Sequence, residues 1–364
     1  MVLFIRTLGN ASMDRYSQLL AAKLDAPTLD TNIYQAASEQ FNGSWLSPAA
    51  VRGTVSMLRF ALQMRSVPDV VHLPNHHLAR FATFVSRPYL VTVHDVIRYL
   101  DVLTGGDYIH PPNRRDRSLL SLDYRAIRRA PALIAISQYT KADIVRYLRI
   151  DPDRITVVYP GVDREVFFPS SVTILDRRYI LFVGSEQPRK NLRSLLHALA
   201  LLRQELRTRD VVLVKVGSAG GAEAQFRSIT DRVIAEYGLQ DAVIFAGYVS
   251  NEDLRSLYAG AICTVLPSMY EGFGMPVLEA MASGSPVVVS NRTALPEVAG
   301  DAALIVEPTG RNLAQAIDRL ISDGGLRRRL RSAGLRRALS FSWVAAARQT
   351  MAVYERLSEP SRRT

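Results

Sequence analysis

Short apolar runs alternate with helical patterns from one end of the chain to the other, which restricts the fold to parallel sheets covered by helices. In the first half, strand-like runs fall at 2–5, 70–73, 90–93, 132–136 and 155–158, with helical patterns around 51–64, 118–129 and 138–147 between them. The segment Tyr159-Pro160-Gly161-Val162-Asp163, running on to Pro169, breaks this rhythm with turn residues and marks an interdomain linker. The alternation then restarts. Strands are expected at 179–183, 211–216, 243–245, 261–266, 286–289 and 303–306, with helices at 191–207, 223–237, 253–258, 276–281 and 312–321. A last helical stretch begins near Trp343. The pattern predicts an α/β protein of two doubly wound, Rossmann-like units with a cleft between them. In such sheets ligands sit at the carboxyl ends of strands, so the loops just after strands are where chemistry should be sought.

The length of 364 residues suits two such cores better than one. No run of about 18 uncharged apolar residues occurs, so no membrane span is expected. The opening Val2-Leu3-Phe4-Ile5 is too short for a secretory signal and is expected to be a buried strand. Cys263 is the single cysteine, which excludes an internal disulfide and a thiolate metal cluster; inside an apolar run it is expected to be a small core residue. These features fit a cytoplasmic protein. The formal charge of +11 rests on 45 basic residues, of which four are lysine. Two clusters stand out: Arg114, Arg115, Arg117, Arg125, Arg128 and Arg129, and Arg327, Arg328, Arg329, Arg331, Arg336 and Arg337. Solvated helix faces explain them most simply. Peripheral contact with an anionic membrane, or with a phosphorylated acceptor, is the functional alternative. Nucleic acid is disfavoured, because no interleaved aromatics or binding motif accompany the clusters.

The richest stretch is Glu271-Gly272-Phe273-Gly274-Met275-Pro276-Val277-Leu278-Glu279. It follows a strong strand, turns through two glycines and enters a helix at Pro276, a favoured first helical position. The glycines let backbone approach a ligand, and the amides of Phe273, Gly274 and Met275 at a helix start favour a phosphate or a sugar hydroxyl. Glu271 in the loop and Glu279 one turn into the helix could reach different parts of one long ligand. Taken alone, they could equally be surface acids stabilised by the helix dipole. A second loop follows the strand at 179–183: Gly184-Ser185-Glu186-Gln187-Pro188-Arg189-Lys190-Asn191. Two cations at a helix start oppose the local dipole, and a bound diphosphate would resolve the conflict. A third signal is Val91-Thr92-Val93-His94-Asp95, a strand ending in a polar pair.

Together these residues resemble glycosyltransferase family 4, retaining enzymes of GT-B fold. Glu271 to Glu279 matches the family's E-x7-E signature, and the likeness extends to the stretches at 159–163, 245–249, 290–303 and 341–343, covering nearly all of the chain from about Val91 onward. The resemblance implies that Glu279 bonds the nucleotide ribose, that Glu271 lies beside the donor sugar, and that Phe273, Gly274 and Met275 contact sugar and phosphate through their amides. It places Arg189 and Lys190, beside Gly184, on the diphosphate, His94 near the reaction centre, and Tyr248 and Val249 at the base. It further implies an N-terminal acceptor-side domain over 1–163, completed by a crossing helix over 343–364, and a nucleotide-sugar domain over 164–342. The chain departs from the family at Ser185, where many members carry arginine, and at Gly9-Asn10-Ala11-Ser12, a reduced form of the N-terminal glycine-rich loop.

The expected activity is transfer of a hexose from a nucleoside diphosphate sugar, with GDP-mannose the guess, to a saccharide or lipid-linked acceptor in surface polysaccharide synthesis. The anomeric configuration would be retained by front-face attack, without a metal or other cofactor, so Glu271 is not cast as a nucleophile. Asp151-Pro152-Asp153 is better explained as a turn than as a metal site, and His72, His76 and His77 as structural or surface groups. A sugar-nucleotide epimerase on the same fold and an inert sugar-nucleotide-binding subunit are the alternatives. A nicotinamide dehydrogenase is disfavoured, because Gly217-Ser218-Ala219-Gly220-Gly221 lacks G-x-G-x-x-G spacing.

Overall fold

The computed structural model describes residues 2–9, 12–31, 60, 62, 70–85, 88–172, 174–219 and 224–358. The helical pattern expected at 51–64 lies almost wholly outside them, as do Asn10, Ala11, Gly220 and Gly221. The chain packs as two units: residues 1–102, 112–161 and 342–364 form the first, and 103–111 with 162–341 the second.

The first unit holds a six-stranded, all-parallel sheet: β1 (Val2–Thr7), β2 (Thr28–Thr31), β3 (Val70–Leu73), β4 (Tyr89–Val93), β5 (Ala132–Ala135) and β6 (Ile155–Val157). Their spatial order is β2-β1-β3-β4-β5-β6, so the winding direction reverses between β1 and β3. β3 to β5 are almost fully buried, as expected of strands covered on both faces. β2 was not anticipated. Its Thr-Leu-Asp-Thr sequence carries one apolar residue, and it is a half-exposed edge strand held by register to β1. The helix Trp343–Ser358 packs into this unit, where the Tyr354 hydroxyl meets His72 Nδ1 at 2.7 Å and Arg356 donates to the Thr156 hydroxyl at 2.8 Å.

The second unit repeats the plan with β7 (Tyr179–Val183), β8 (Val212–Val216), β9 (Val243–Gly247), β10 (Cys263–Leu266), β11 (Val287–Ser290) and β12 (Leu304–Val306), again all parallel. The order β12-β11-β10-β7-β8-β9 reverses between β7 and β10. Ile180, Phe182, Leu213, Val265 and Val288 form the sheet's share of a core covered by the helices Leu192–Arg203, Gly310–Ser322 and Gly324–Leu339. The last of these was not among the expected helices. Six arginines over 327–337 obscure a narrow apolar seam of Leu326, Leu330, Gly334 and Ala338, which is what the helix buries. Cys263 is wholly buried on β10, and burial pushes its thiol up to about 12, so it is a core residue.

Candidate functional site

Ligands in doubly wound sheets collect at the carboxyl ends of the strands that flank the winding reversal. In the second unit those strands are β7 and β10, and the loops that follow them carry most of the candidate residues. The chain leaves β7 at Gly184, makes a tight turn over Pro188–Lys190, and passes through Asn191 in the left-handed conformation (φ 53°) into the helix Leu192–Arg203. It leaves β10 at Pro267 and reaches the helix Met275–Ala282 through Gly274, at φ 105°. The two turns are tied side by side. Met269 N donates to Arg189 O at 2.7 Å, Asn191 Nδ2 donates to Pro267 O at 3.0 Å, and Arg189 Nη1 donates to Tyr270 O at 3.2 Å.

At this junction Arg189, Lys190 and Glu271 form one ion cluster. Arg189 Nη1 reaches one Glu271 oxygen at 3.0 Å and Lys190 Nζ reaches the other at 2.6 Å. Ser268 also donates to the latter oxygen at 2.8 Å, and the Glu271 amide donates to the Thr293 hydroxyl at 2.9 Å. Burial alone would raise the Glu271 carboxyl, but the charges of Lys190 and Arg189, with hydrogen bonds from Lys190 and Ser268, hold it at about 2. It is therefore an anion at neutral pH, and the trio keeps one net positive charge. Arg189 Nε is anchored on Gln187 at 2.9 Å, so the guanidinium is oriented before any ligand arrives. The residue at the start of the helix Met275–Ala282 is Gly274, which has no side chain to cap it, and this leaves the helix start suited to an external acceptor. The cluster and this helix start can together hold a diphosphate.

Glu279 lies one turn into that helix, largely buried, and its carboxylate accepts from the Tyr258 hydroxyl at 3.0 Å. Tyr258 is fully buried and steadied edge-on by Phe167, so it fixes Glu279 from beneath. Tyr248 and Val249 follow β9, Tyr248 being strongly exposed. There the backbone forms a glycine ledge: Gly184 N donates to Val216 O at 3.0 Å, and Gly217 N donates to Gly247 O at 2.7 Å. A Cβ at Gly217, whose φ is 102°, would lie 2.9 Å from Gly184 O, so only glycine lets these strand ends close up. Under the ledge, buried Lys215 and Glu186 pair at 3.2 Å, and Arg227 grips Glu186 while lying over the Phe245 ring. Burial raises the Glu186 carboxyl, but Arg227, Thr230 and Lys215 together bring it below its ordinary value.

His94 directly follows β4 in the first unit. Its Nε2 lies 2.7 Å from Pro74 O, and since a carbonyl only accepts, Nε2 carries the proton in the neutral ring. Burial and neighbouring His76 lower it to about 4 despite opposing help from Pro74 and Asp95, so the ring is neutral at pH 7. His76 Nδ1 accepts from the His94 amide at 3.3 Å, which puts its proton on Nε2, a buried donor with no hydrogen-bond partner among the described residues. Asn75 Nδ2 and Thr7 Oγ1 are likewise buried and find no partner among the described residues. The registers place Phe4 beside His72 and His72 beside Leu90. Continued outward, they set Thr7 level with Asn75, and His76 level with His94, at this sheet's own winding reversal. His72 is instead structural, with Tyr354 on Nδ1 and Thr92 on Nε2 at 2.8 Å.

Sequence inspection missed Ser268, Thr293, Tyr258, Asn75 and His76 as partners. Ser268 precedes Glu271 by three residues and Tyr258 lies in a plain helix, so neither carries a local signal. Thr293 has φ 53°, a strained state for a β-branched residue that only the backbone reveals. Asp151 accepts from the Asp153 amide at 2.9 Å and starts the turn Pro152–Arg154, which accounts for that Asp-Pro-Asp.

Two family models match the chain. The family model described as Glycosyl transferases group 1 matches residues 163–337, and the one described as Glycosyltransferase Family 4 matches residues 20–166. O-antigen chain mannosyltransferase B of Escherichia coli is 33% identical over 315 residues, 82% of this chain and 77% of that protein. An MMP alpha-(1->4)-mannosyltransferase of Mycolicibacterium hassiacum is 36% identical over 277 residues, 74% of this chain and 65% of that protein. Among solved structures, Anabaena HepE in complex with UDP-glucose superposes with a TM-score of 0.77 at 18% identity, covering 98% of this chain and 99% of that one. Sucrose-phosphate synthase from Thermosynechococcus elongatus gives 0.76 at 22%, covering 98% of each. The fold is that of the GT-B glycosyltransferases. The chain belongs to glycosyltransferase family 4.

Proposed function

We propose that the protein transfers a mannosyl residue from a nucleoside diphosphate sugar, GDP-mannose in the first instance, to a saccharide or lipid-linked saccharide acceptor in surface polysaccharide synthesis. It does so with retention of configuration and without a metal. The observation that carries this is the Arg189–Lys190–Glu271 cluster beside a helix start whose cap residue is a glycine, at the winding reversal of one sheet. Support for the sugar comes from the two relatives above, both named mannosyltransferases.

In this mechanism the donor's diphosphate lies against Arg189, Lys190 and the amides of Phe273, Gly274 and Met275, while Glu279 takes the ribose hydroxyls. The base rests on the ledge at Gly184 and against the backbone of Tyr248 and Val249. Breaking the anomeric C–O bond leaves negative charge on the diphosphate, and the fixed cations stabilise it as it develops. Glu271 orients both cations, and its low carboxyl value keeps it charged throughout. His94, at about 4, is too weak a base at pH 7 to take the acceptor's proton. That proton passes to the departing phosphate oxygen as the new glycosidic bond forms on the same face. His94 then acts as a neutral hydrogen-bonding ring, and His76, Asn75 and Thr7 offer their unsatisfied groups to acceptor hydroxyls. The metal's usual task of neutralising a diphosphate falls to Arg189 and Lys190.

No helix among the described residues is long and apolar enough to cross a membrane. We place the enzyme at the cytoplasmic face of a membrane as a peripheral protein, since a lipid-linked acceptor and exposed arginines both favour that position. The test is a panel of nucleotide sugars scored by ligand-induced stabilisation, followed by nucleotide release with candidate acceptors in the presence of EDTA. Stabilisation by GDP-mannose and acceptor-dependent GDP release in EDTA are expected; stabilisation by none of the panel defeats the proposal.

A further inference from the structure

The second unit has a concave basic site at the end of the sheet opposite these loops. A cavity of about 380 Å³ opens where the chain enters β7, β10 and β11, lined by Arg178, Arg327, Arg328 and Arg331 over a floor that includes Ala261 and Gly284. Among the described residues, no carboxylate lines it. The intervening strands are four or five residues long, which at about 3.3 Å per residue separates this cavity from the β7 and β10 exit loops by roughly 13–17 Å. The two cannot share one phosphate.

Two of the four arginines are pinned. Arg178 donates to Asp210 at 2.9 Å and to Arg207 O at 3.1 Å; Arg327 donates to the last carbonyls of the preceding helix, Leu320 O and Ile321 O. Arg328 and Arg331 are exposed and have no ion pair or hydrogen bond among the described residues. They stand three apart on one face of the helix Gly324–Leu339, where mutual repulsion opposes them. The floor makes room for them: Gly284 has φ 80°, and a Cβ there would lie 3.1 Å from Arg331 Nε. The basic surface continues past Arg329 and Arg336, with Asp301 at its rim. A solvated arginine face needs no hollow, whereas an anion set among these four guanidiniums relieves the repulsion and pairs with planar forks.

We infer that this cavity is a second anion site that binds a phosphate group, carried either by a soluble phosphorylated compound or by a lipid headgroup. It stands on the second unit's geometry alone and does not depend on the donor assignment. The test compares the full chain with R328E/R331E, with R114E/R125E, which makes the same change in net charge elsewhere, and with K190A. In one arm, inorganic pyrophosphate is titrated calorimetrically. Two sites are expected in the parent chain, one in R328E/R331E and one in K190A. In the other arm, sedimentation with phosphatidylglycerol vesicles is measured against phosphatidylcholine, where R328E/R331E should weaken binding at least about tenfold more than R114E/R125E. Loss in the first arm identifies a soluble phosphate compound as the ligand, and loss in the second alone identifies a lipid headgroup. If neither arm depends on Arg328 and Arg331, or if R114E/R125E loses as much in both, the site does not exist. A missing K190A effect speaks against the donor site and leaves this one standing.

Discussion

Glu271 is a buried acid whose charge is set by its neighbours. Replacing it with glutamine leaves Arg189 and Lys190 side by side without their counter-ion, a loss of about 3 kcal/mol for breaking a buried pair. Glu271→Gln should therefore unfold at lower temperature than the parent chain, and a saturating nucleoside diphosphate should recover more of that loss than it adds to the parent. Equal ligand shifts in both proteins would separate the cations from the diphosphate. Glu279 is positioned differently, with a hydrogen bond from Tyr258. Glu279→Ala should weaken donor binding by about 10- to 100-fold, the value of a hydrogen bond to a charged group. Tyr258→Phe, which removes this hydrogen bond to the Glu279 carboxylate, should raise the donor KM severalfold and leave kcat nearly intact. Lys190→Ala should collapse turnover while the fold survives, measured as kcat alongside the thermal midpoint.

At the scale of elements, the turn before the helix Met275–Ala282 depends on Gly274. Its φ of 105° suits glycine, and an added Cβ would lie 2.7 Å from Leu295 Cδ2, itself wholly buried. Gly274→Ala should cost ~1–2 kcal/mol in chemical denaturation and weaken donor binding as well, because strain there rotates the amides of the first helical turn. A stability loss with unchanged donor affinity would show that those amides do not meet the ligand. The helix Gly324–Leu339 shows the reverse relation between pattern and structure. Its arginine-rich sequence hides the buried seam that defines it, since two arginines cap neighbouring helices and two more line a cavity.

The molecule as a whole carries three buried histidines and a largely buried fourth, His77, all neutral, in its first unit. Burial holds His72 and His76 at about 3, His94 at about 4, and His77 well below its ordinary value. In the unfolded chain each would titrate near 6.5. Because the folded values are depressed, the unfolded state binds more protons below pH 6.5, and the stability these rings contribute is present above that pH and drains away toward 4. The thermal midpoint should fall between pH 7 and pH 5, with proton uptake on unfolding measurable by calorimetry in buffers of different ionisation enthalpy. Glu271 has its own window: its contribution persists to lower pH and is lost only between about 4.5 and 2. A midpoint flat from pH 7 to pH 5 would mean the histidines are hydrated.

Local sequence alone determined the alternating plan, because a buried parallel strand must be an apolar run and its crossover helix must carry a 3.6-residue period. It also determined the two loops after β7 and β10, since glycines at a strand exit and cations at a helix start are local features. Only the tertiary structure decided that Arg189 and Lys190 meet Glu271, a pairing across more than eighty residues that follows from β7 and β10 being neighbours at the winding reversal. The same holds for His76, whose unsatisfied proton depends on which ring nitrogen the His94 amide occupies, and for the arginine-lined hollow beneath three strand starts. Distance along the chain carries no information about such meetings; the order of strands in a sheet does.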